Sequence, residues 1–335
     1  LIHALPVFHT HGLFVATNVA LVSGAKLLFL DKFDSDKIIK AMPFATSLMG
    51  VPTFYTRLLQ HADLTFATQH MRLFISGSAP LLAQTHEEWR EKTGHAILER
   101  YGMTEANMVT SNPYKGIRKA GTVGIPLEDI KVRITSQETM EEVGEGLVGS
   151  LEIKGPNLFT GYWQNPEKTA SEFHKDGYFI SGDLACRDSD GYISIMARTD
   201  DVINTAGHRL STGAMEEVLS EHPDIAECAV IGIADKLKGQ LPIGLLALKA
   251  GVTKDKKDII SECIKMVREK VGPVASFKIA IVVKRLPKTR SGKVLRGTVR
   301  KIADNEPYKM PATIDDPAIL DEIKADLVEN KILKL

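Results

Sequence analysis

From Ala25 to Arg100, short apolar runs alternate with segments whose apolar positions recur at helical spacing: AKLLFL, SDKIIKAM, ATSLMGV, PTFYTRLLQ, MRLFIS, PLLAQTHEEWREKTG and AILER. Strand-length runs separated by helices predict a parallel α/β sheet. Pro52 falls at a first helical position and Gly94 just beyond a helix end, the expected start and stop residues. From about Gly121 to Arg198 the pattern changes to short strands punctuated by glycine (TVGIPL, IKVRIT, GSLEIKGP, GYFISGDLA, RDSDGYISIM), which predicts a small antiparallel barrel or sheet. After Asp200 helix and strand alternate again, through GAMEEVLSEH, AECAVIGIA, PIGLLALK, KDIISECIKMVREKV and FKIAIVV. In the fourth of these, Ile260, Ile264, Val267 and Val271 recur at helical spacing and predict one face laid on a sheet. The tail from Ile302 to Leu335 reads as a charged connection and one helix. The polar break ARTDD divides the chain into domains 1–199, with a β subdomain over about 121–198, and 200–335. The expected fold class is therefore α/β: a large N-terminal domain, parallel sheet plus small β-barrel, and a smaller α+β C-terminal domain on a hinge.

Composition narrows the function classes. Of 335 residues, 44% are apolar, ample for a full core. Forty-two basic against 42 acidic side chains leave no net charge, which removes the long-range field of a nucleic-acid or anionic-membrane binder. Cys186, Cys228 and Cys263 are widely spaced, with no C-x-x-C pair, so neither a zinc site nor a disulfide framework is indicated. No run of 18 apolar residues is present to span a bilayer, and LIHALPVFHTHG reads as a buried strand rather than a signal peptide. Opening in mid-strand, without methionine or a polar lead-in, leads to the expectation that residues precede Leu1.

Three stretches place small residues beside groups that bind phosphate, ribose or metal. SGSAP (76–80) follows the strand MRLFI and precedes a helix, where exposed N–H groups and the helix terminus suit an anion or the edge of a base; a plain strand-to-helix turn is the alternative. ERYGMTE (99–105) ends a second strand of the same sheet. Ends of neighbouring parallel strands share one crevice, so Thr104 and Glu105 are expected to face what SGSAP faces, a hydroxyl and a carboxylate suited to a phosphate and its Mg²⁺. The alternative is a helix N-cap. PKTRSGK (287–293) presents Lys293 beside Arg290 on a mobile, glycine-containing loop able to bring a cation to developing negative charge, or else a solvated basic turn. RSGKV lacks the first Gly and last Ser/Thr of a G-x-x-x-x-G-K-[ST] phosphate loop.

HALPVFHTHG, SGSAPL, ERYGMTE, GYWQNPEKT, GYFISGDLA, RTDDVINTAGHRLS and PKTRSGKVLR, in this order, resemble the successive signatures of the acyl-adenylate-forming superfamily: acyl-CoA synthetases, luciferases and peptide-synthetase adenylation domains. The resemblance implies attack of a carboxylate on the α-phosphate of ATP, release of pyrophosphate, and displacement of AMP by CoA. By motif position it implies Gly77, Ser78, Ala79, Tyr101 and Gly102 around the adenine, Thr104 on phosphate, Glu105 on Mg²⁺, and Asp183 on the ribose hydroxyls. Arg198 would reach ribose or phosphate, although Ala197 replaces the usual preceding Gly, and Asp200 would be the hinge. Lys293 would bridge carboxylate and phosphoryl oxygens during adenylation. Gly207 and His208 would line the pantetheine tunnel, Arg209 would contact phosphate, and Arg268 would contact CoA phosphate. ATP, Mg²⁺ and coenzyme A are implied, with no prosthetic group, nucleic-acid or membrane partner. The implied location is the cytoplasm or, alternatively, the mitochondrial matrix.

The N-terminal half is similar to malonyl-CoA synthetases and the C-terminal half to propionyl- and acetyl-CoA synthetases. In this superfamily the N-terminal domain builds the acyl pocket, so the resemblance favours malonate or methylmalonate, with propionate or acetate as the alternative. A second carboxylate needs a cation, and Arg72, Arg118, His9 and His11 are the candidates. Gly102 stands where acetate-specific relatives carry a Trp, which implies a larger pocket. The Ser/Thr/Gly-rich phosphate loop of relatives is not found from Leu1 onward. That leaves open a non-catalytic nucleotide- or CoA-binding module, and more remotely an adenylation domain serving a carrier protein.

Overall fold

The structure, a computed structural model, describes residues 1–206, 208–290 and 292–333, the side chains of Asp200 and Arg209 lying outside that description. It divides into two compact units, Leu1–Ile195 and Met196–Leu335.

The first unit is built on a seven-stranded sheet. Its strands are β1 (Ile2–His3), β2 (Leu28–Phe29), β3 (Ser47–Gly50), β4 (Leu73–Ser76), β5 (Leu98–Met103), β6 (Asn107–Ser111) and β7 (Ile125–Pro126), in spatial order 2-1-3-4-5-6-7. β1 to β5 pair in parallel and β5 to β7 antiparallel. The helix Ser35–Ala41 is N-capped by Asp34, which accepts from Lys37 N at 3.0 Å. Pro52 opens Pro52–Leu58, and Gly94, at φ 77°, ends Ala83–Thr93 in the left-handed conformation a C-cap favours. The core gathers Ile38, Leu48, Tyr55, Leu58, Leu64, Phe74 and Trp89, all fully buried. Only Ile2–His3 of the opening segment is strand: His11–Asn18 forms a π-helix, a wide turn tied down where His3 Nε2 meets Gly12 O (2.9 Å) and Thr17 Oγ1 (3.0 Å).

The second sheet has β8 (Lys131–Thr135), β9 (Gly149–Lys154), β10 (Phe179–Arg187) and β11 (Ile193–Arg198), the last three residues of β11 belonging to the second unit, in order 11-10-9-8. It is open: among the described residues β8 and β11 do not pair, so the expected barrel is a sheet. The expected start near Gly121 also shifts, because Ile125–Pro126 of TVGIPL pairs with β6 of the large sheet.

The second unit has β12 (Ile203–Thr205), β13 (His208–Leu210), β14 (Ile225–Asp235), β15 (Gly239–Leu248) and β16 (Ile279–Val283), in order 13-12-15-14 with β16 beside β15. Period-2 alternation sorts the strand residues onto two faces. Ala229, Ile231, Ile243 and Leu245 pack with helices Arg296–Ala303 and Ile319–Glu329; Cys228, Val230 and Leu246 pack with Thr212–Ser220 and Lys256–Lys270. The buried stripe of Lys256–Lys270 is Ile259, Cys263 and Val267. It is centred one residue before the expected face, with Ile260, Ile264 and Val271 on its margin, because Cys263 serves as a small hydrophobe and burial pushes its thiol up to about 12. Among the described residues no helix is long and apolar enough to cross a membrane.

Trp89 stands edge-on to Tyr55 (4.9 Å) and Phe74 (5.0 Å), and its indole N–H has no hydrogen-bond partner. Trp89→Ala is therefore expected to lower unfolding free energy by about 3–5 kcal/mol. Trp89→Phe, which removes the unpartnered N–H, should cost under about 1.5 kcal/mol. Urea titration of both variants checks this, and equal losses would contradict it.

Candidate active site

The carboxyl ends of β4 and β5 carry the two glycine-containing motifs. β4 ends at Ser76 and the chain turns through Gly77 and Ser78, whose φ of 71° is left-handed. The turn is held from two sides. Ser78 Oγ meets His11 Nδ1 at 3.1 Å, and Leu81 N donates to Glu99 Oε1 at 3.2 Å, tying SGSAPL to the first residue of ERYGMTE. A Cβ on Gly77 would lie 3.4 Å from both Arg100 O and His11 Cε1, so a small residue keeps strand and histidine in contact. The following helix starts only at Ala83, with Leu82 as its cap. The expected helix N-terminus is thus displaced from SGSAP, and the turn's own N–H groups are what it offers an anion.

β5 then changes partners. Leu98 and Glu99 pair in parallel with β4, and Arg100 to Met103 antiparallel with β6, with a register shift between Tyr101 and Gly102. Thr104–Ala106 is the connecting turn, not a helix start, so the N-cap alternative falls. Thr10 Oγ1 donates to Thr104 Oγ1 at 3.4 Å and Tyr162 OH to Glu105 Oε1 at 3.2 Å; burial together with Glu172 and Glu105 pushes the Tyr162 phenol up. Tyr101 OH donates to Asp183 Oδ2 at 2.5 Å, and Asp183 is buried on β10. The structure thus brings residues 9–11, Gly77–Ala79, Tyr101–Glu105 and Asp183 together in one unit. Gly102 serves the hairpin: a Cβ there would lie 2.0 Å from Asn107 O. Besides the larger pocket expected of it, this glycine admits the neighbouring backbone.

The four cations expected for a second carboxylate are not usable as such. Arg72 precedes β4 at its amino end, the opposite edge from Ser76, where it is exposed and donates to Tyr114 OH at 2.7 Å. Arg118 donates to Ala96 O (2.7 Å), Tyr114 O (3.1 Å) and Pro113 O (3.3 Å); it holds a loop at that same edge. His11 is 3% exposed, and burial, with His9 and Arg100 beside it, lowers it to about 3. Burial also lowers half-buried His9, whose Nδ1 accepts from His11 N at 3.2 Å. Both imidazoles are neutral at pH 7.

Arg100, overlooked within ERYGMTE, is the cation the site does contain. It lies mid-strand between Glu99 and Tyr101, so strand alternation turns it away from the Tyr101–Asp183 face, and its charge acts on His11. Its Nε is buried without a hydrogen-bond partner, it has no carboxylate partner among the described residues, and burial lowers its pKa. A charged residue flanked by others in a strand looks like a solvated edge; the clue was that it sits inside a motif with apolar Ile97 and Leu98 before it.

In the second unit, Arg198 is half-buried at the end of β11, His208 is exposed on β13, and Arg268 is on the solvated face of Lys256–Lys270. Gly207 lies outside the described residues, as do the side chains of Asp200 and Arg209. Lys293 is exposed, and its loop is a hairpin: Thr289 N donates to Lys293 O (2.8 Å), Lys293 N to Thr289 Oγ1 (3.1 Å), and Lys288 bridges Val294. The base of the loop expected to be mobile is thus hydrogen-bonded.

The histidine geometry has a measurable sign. An unfolded imidazole titrates near 6.5 and His11 in the fold at about 3, so between these values the unfolded chain binds the extra proton. Above pH 6.5 the neutral ring costs nothing; below it, stability falls by up to about 1.4 kcal/mol per pH unit, until the folded ring titrates. His11→Asn should reduce the slope by that amount in urea unfolding between pH 7 and 5. Parallel slopes for the two proteins would contradict the assignment.

A family model described as AMP-binding enzyme matches residues 1–163, and another described as AMP-binding enzyme C-terminal domain matches residues 214–293. The chain is 34% identical, over 91% of its length and 54% of the relative's, to a malonate–CoA ligase of Arabidopsis thaliana. It is 41% identical, over 70% of its length and 35% of the relative's, to the mitochondrial acyl-CoA synthetase short-chain family member B of Dictyostelium discoideum. The crystal structure of ATP-bound MatB from Rhodopseudomonas palustris matches with a TM-score of 0.86 and 47% identity, over 91% of this chain and 60% of that one. The chain spans about half the length, or less, of these curated relatives. With both models matched in order, over the units that carry the SGSAP, ERYGMTE and PKTRSGK motifs, the chain belongs to the AMP-binding enzyme family.

Proposed function

We propose that this chain activates a small dicarboxylic acid, malonate foremost, by AMP-forming ligation to coenzyme A. The observation that carries the choice of acid is Arg100: a half-buried guanidinium whose Nε is buried and unpartnered, without a carboxylate partner among the described residues, on the face of β5 opposite the Tyr101–Asp183 contact. An unpaired buried cation is costly and becomes favourable once a carboxylate reaches it. Relatives named malonate–CoA ligase support the same choice.

In this reading the face of Tyr101 takes the nucleotide and the face of Arg100 the acid. Gly77, Ser78, Ala79 and Tyr101 border the adenine, and Asp183, its rotamer fixed by Tyr101, accepts from the ribose hydroxyls. Thr104 holds phosphate. One carboxylate oxygen of the acid attacks the α-phosphorus while the bond to pyrophosphate breaks, and Lys293 offsets the charge that develops. The thiol sulfur of CoA, its proton released to water, then forms its bond to the acyl carbon, and AMP departs with the electron pair of the broken C–O bond. Arg198 and Arg209 contact ribose or phosphate, Asp200 is the hinge, Gly207 and His208 border the pantetheine arm, and Arg268 meets a CoA phosphate. Glu105, with the Thr104 hydroxyl, offers hard oxygen donors that suit Mg²⁺ shared with substrate phosphates, and the bound ion would screen their charge. Three free cysteines accord with a reducing compartment, cytoplasm or mitochondrial matrix.

Pyrophosphate release with malonate, propionate and acetate tests the reading. Malonate is expected to be preferred; release with propionate or acetate alone would replace the acid, and none with any acid would overturn the ligase reading for this chain. Arg100→Met should lower kcat/KM for malonate roughly 100-fold, the loss of a buried charge pair, while leaving propionate within a few-fold. Lys293→Ala should slow adenylation by about 10²–10³ and spare thioester formation from preformed malonyl-AMP, as a two-step assay would reveal.

A further inference from the structure

Arg296 lies three residues after Lys293 and is 15% exposed, against a buried Glu216. Its guanidinium grips Glu216 in a two-pronged contact: Nε to Oε1 at 3.0 Å, and Nη2 to Oε1 at 2.8 Å and to Oε2 at 2.7 Å. Glu216 is itself fixed, because its Oε1 also accepts from Val230 N on β14 at 2.7 Å. It sits mid-way along the helix Thr212–Ser220, whose N-cap Ser211 accepts from Ala214 N at 3.2 Å and donates to Met196 O at 2.7 Å. Arg296 Nη1 stands 4.0 Å from Asp201, beside the residue read as the hinge. The other arm of the Lys293 hairpin has its own anchor on β14, Lys288 Nζ to Glu227 Oε1 at 2.7 Å. Between these two ion pairs run the hairpin bonds of Thr289 and Lys293 and the bond from Leu295 N to Pro287 O at 2.9 Å.

A buried ion pair is a poor device for stability alone, since apolar residues of like volume often do as well. What a bidentate contact adds is direction: a planar fork on a carboxylate held by a backbone N–H fixes distance and rotation together. We infer that Glu216 is a positioning residue, which through Arg296 fixes the register of the hairpin that presents Lys293 for adenylation. The role rests on the ligase reading given above, in which Lys293 acts on the phosphoryl oxygens. Val294 and Leu295, packed against the core of the unit, hold the hairpin down; Glu216 sets where along the sheet it lies.

The double variant Glu216→Leu/Arg296→Met separates anchoring from stability. The expected result is a melting temperature close to that of the wild-type chain, KM for ATP and malonate within about twofold, and kcat for pyrophosphate release reduced about tenfold or more, the scale expected for a displaced catalytic group. Amide hydrogen exchange at Thr289 and Lys293, whose N–H groups close the hairpin, should accelerate in the same variant. Wild-type kcat together with wild-type protection at these amides overturns the inference. If the double variant does not fold, Arg296→Lys keeps the charge but loses the fork, and the same loss of kcat and protection is expected; unchanged values there overturn it equally. A wild-type chain that releases no pyrophosphate refutes the ligase reading instead, and exchange at the two amides then decides the anchoring by itself.

Discussion

One strand has to satisfy two pairing modes, and the candidate site depends on it. β5 is locked by β4 in a parallel sheet at Leu98 and Glu99, and from the next residue, Arg100, it belongs to an antiparallel hairpin. Parallel pairing ends the shared crevice at Ser76 and Glu99, while the hairpin carries Tyr101 to Glu105 beyond the sheet edge where a ligand can be met. The irregularity at Tyr101–Gly102 is what the change of partner demands of the backbone, and Gly102 is the residue that allows Asn107 O to come so near.

Charge in this crevice is sorted by burial more than by number. The two histidines are held neutral by desolvation, while Arg100, which burial also lowers, keeps the charge that a guanidinium carries in proteins. Among the described residues of the first unit, neutral His9 and His11 beside Arg100 make a polar wall with a local positive point. On the proposed reading, the zero net charge of the chain and this local cation fit together: a small acid would be met by one side chain and not by a long-range field.

Much of the architecture was legible in the sequence because it rests on period and punctuation. The runs AECAVIGIA, PIGLLALK and FKIAIVV became β14, β15 and β16, and Pro52 and Gly94 mark helix ends because their backbone constraints are local. What failed needed three dimensions. Arg72 and Arg118 are cations near the right motifs, but a sequence does not say that they occupy the amino edge of strands whose carboxyl edge carries the site. The π-helix after His11 depends on His3 reaching Gly12 and Thr17, a tertiary bond with no periodic trace. The Glu216–Arg296 pair joins residues 80 positions apart, and each alone reads as the polar face of a helix.

The three cysteines bear on the chemistry in another way. An acyl-adenylate is a mixed anhydride that any thiolate can intercept, and a protein that forms one exposes its own sulfur to acylation. Burial raises Cys186, Cys228 and Cys263 alike, the last to about 12, so each stays a thiol at neutral pH. On the ligase reading the scaffold's own sulfurs are thereby poor nucleophiles towards the intermediate, and the thiol left to react would be the one that arrives with the cosubstrate.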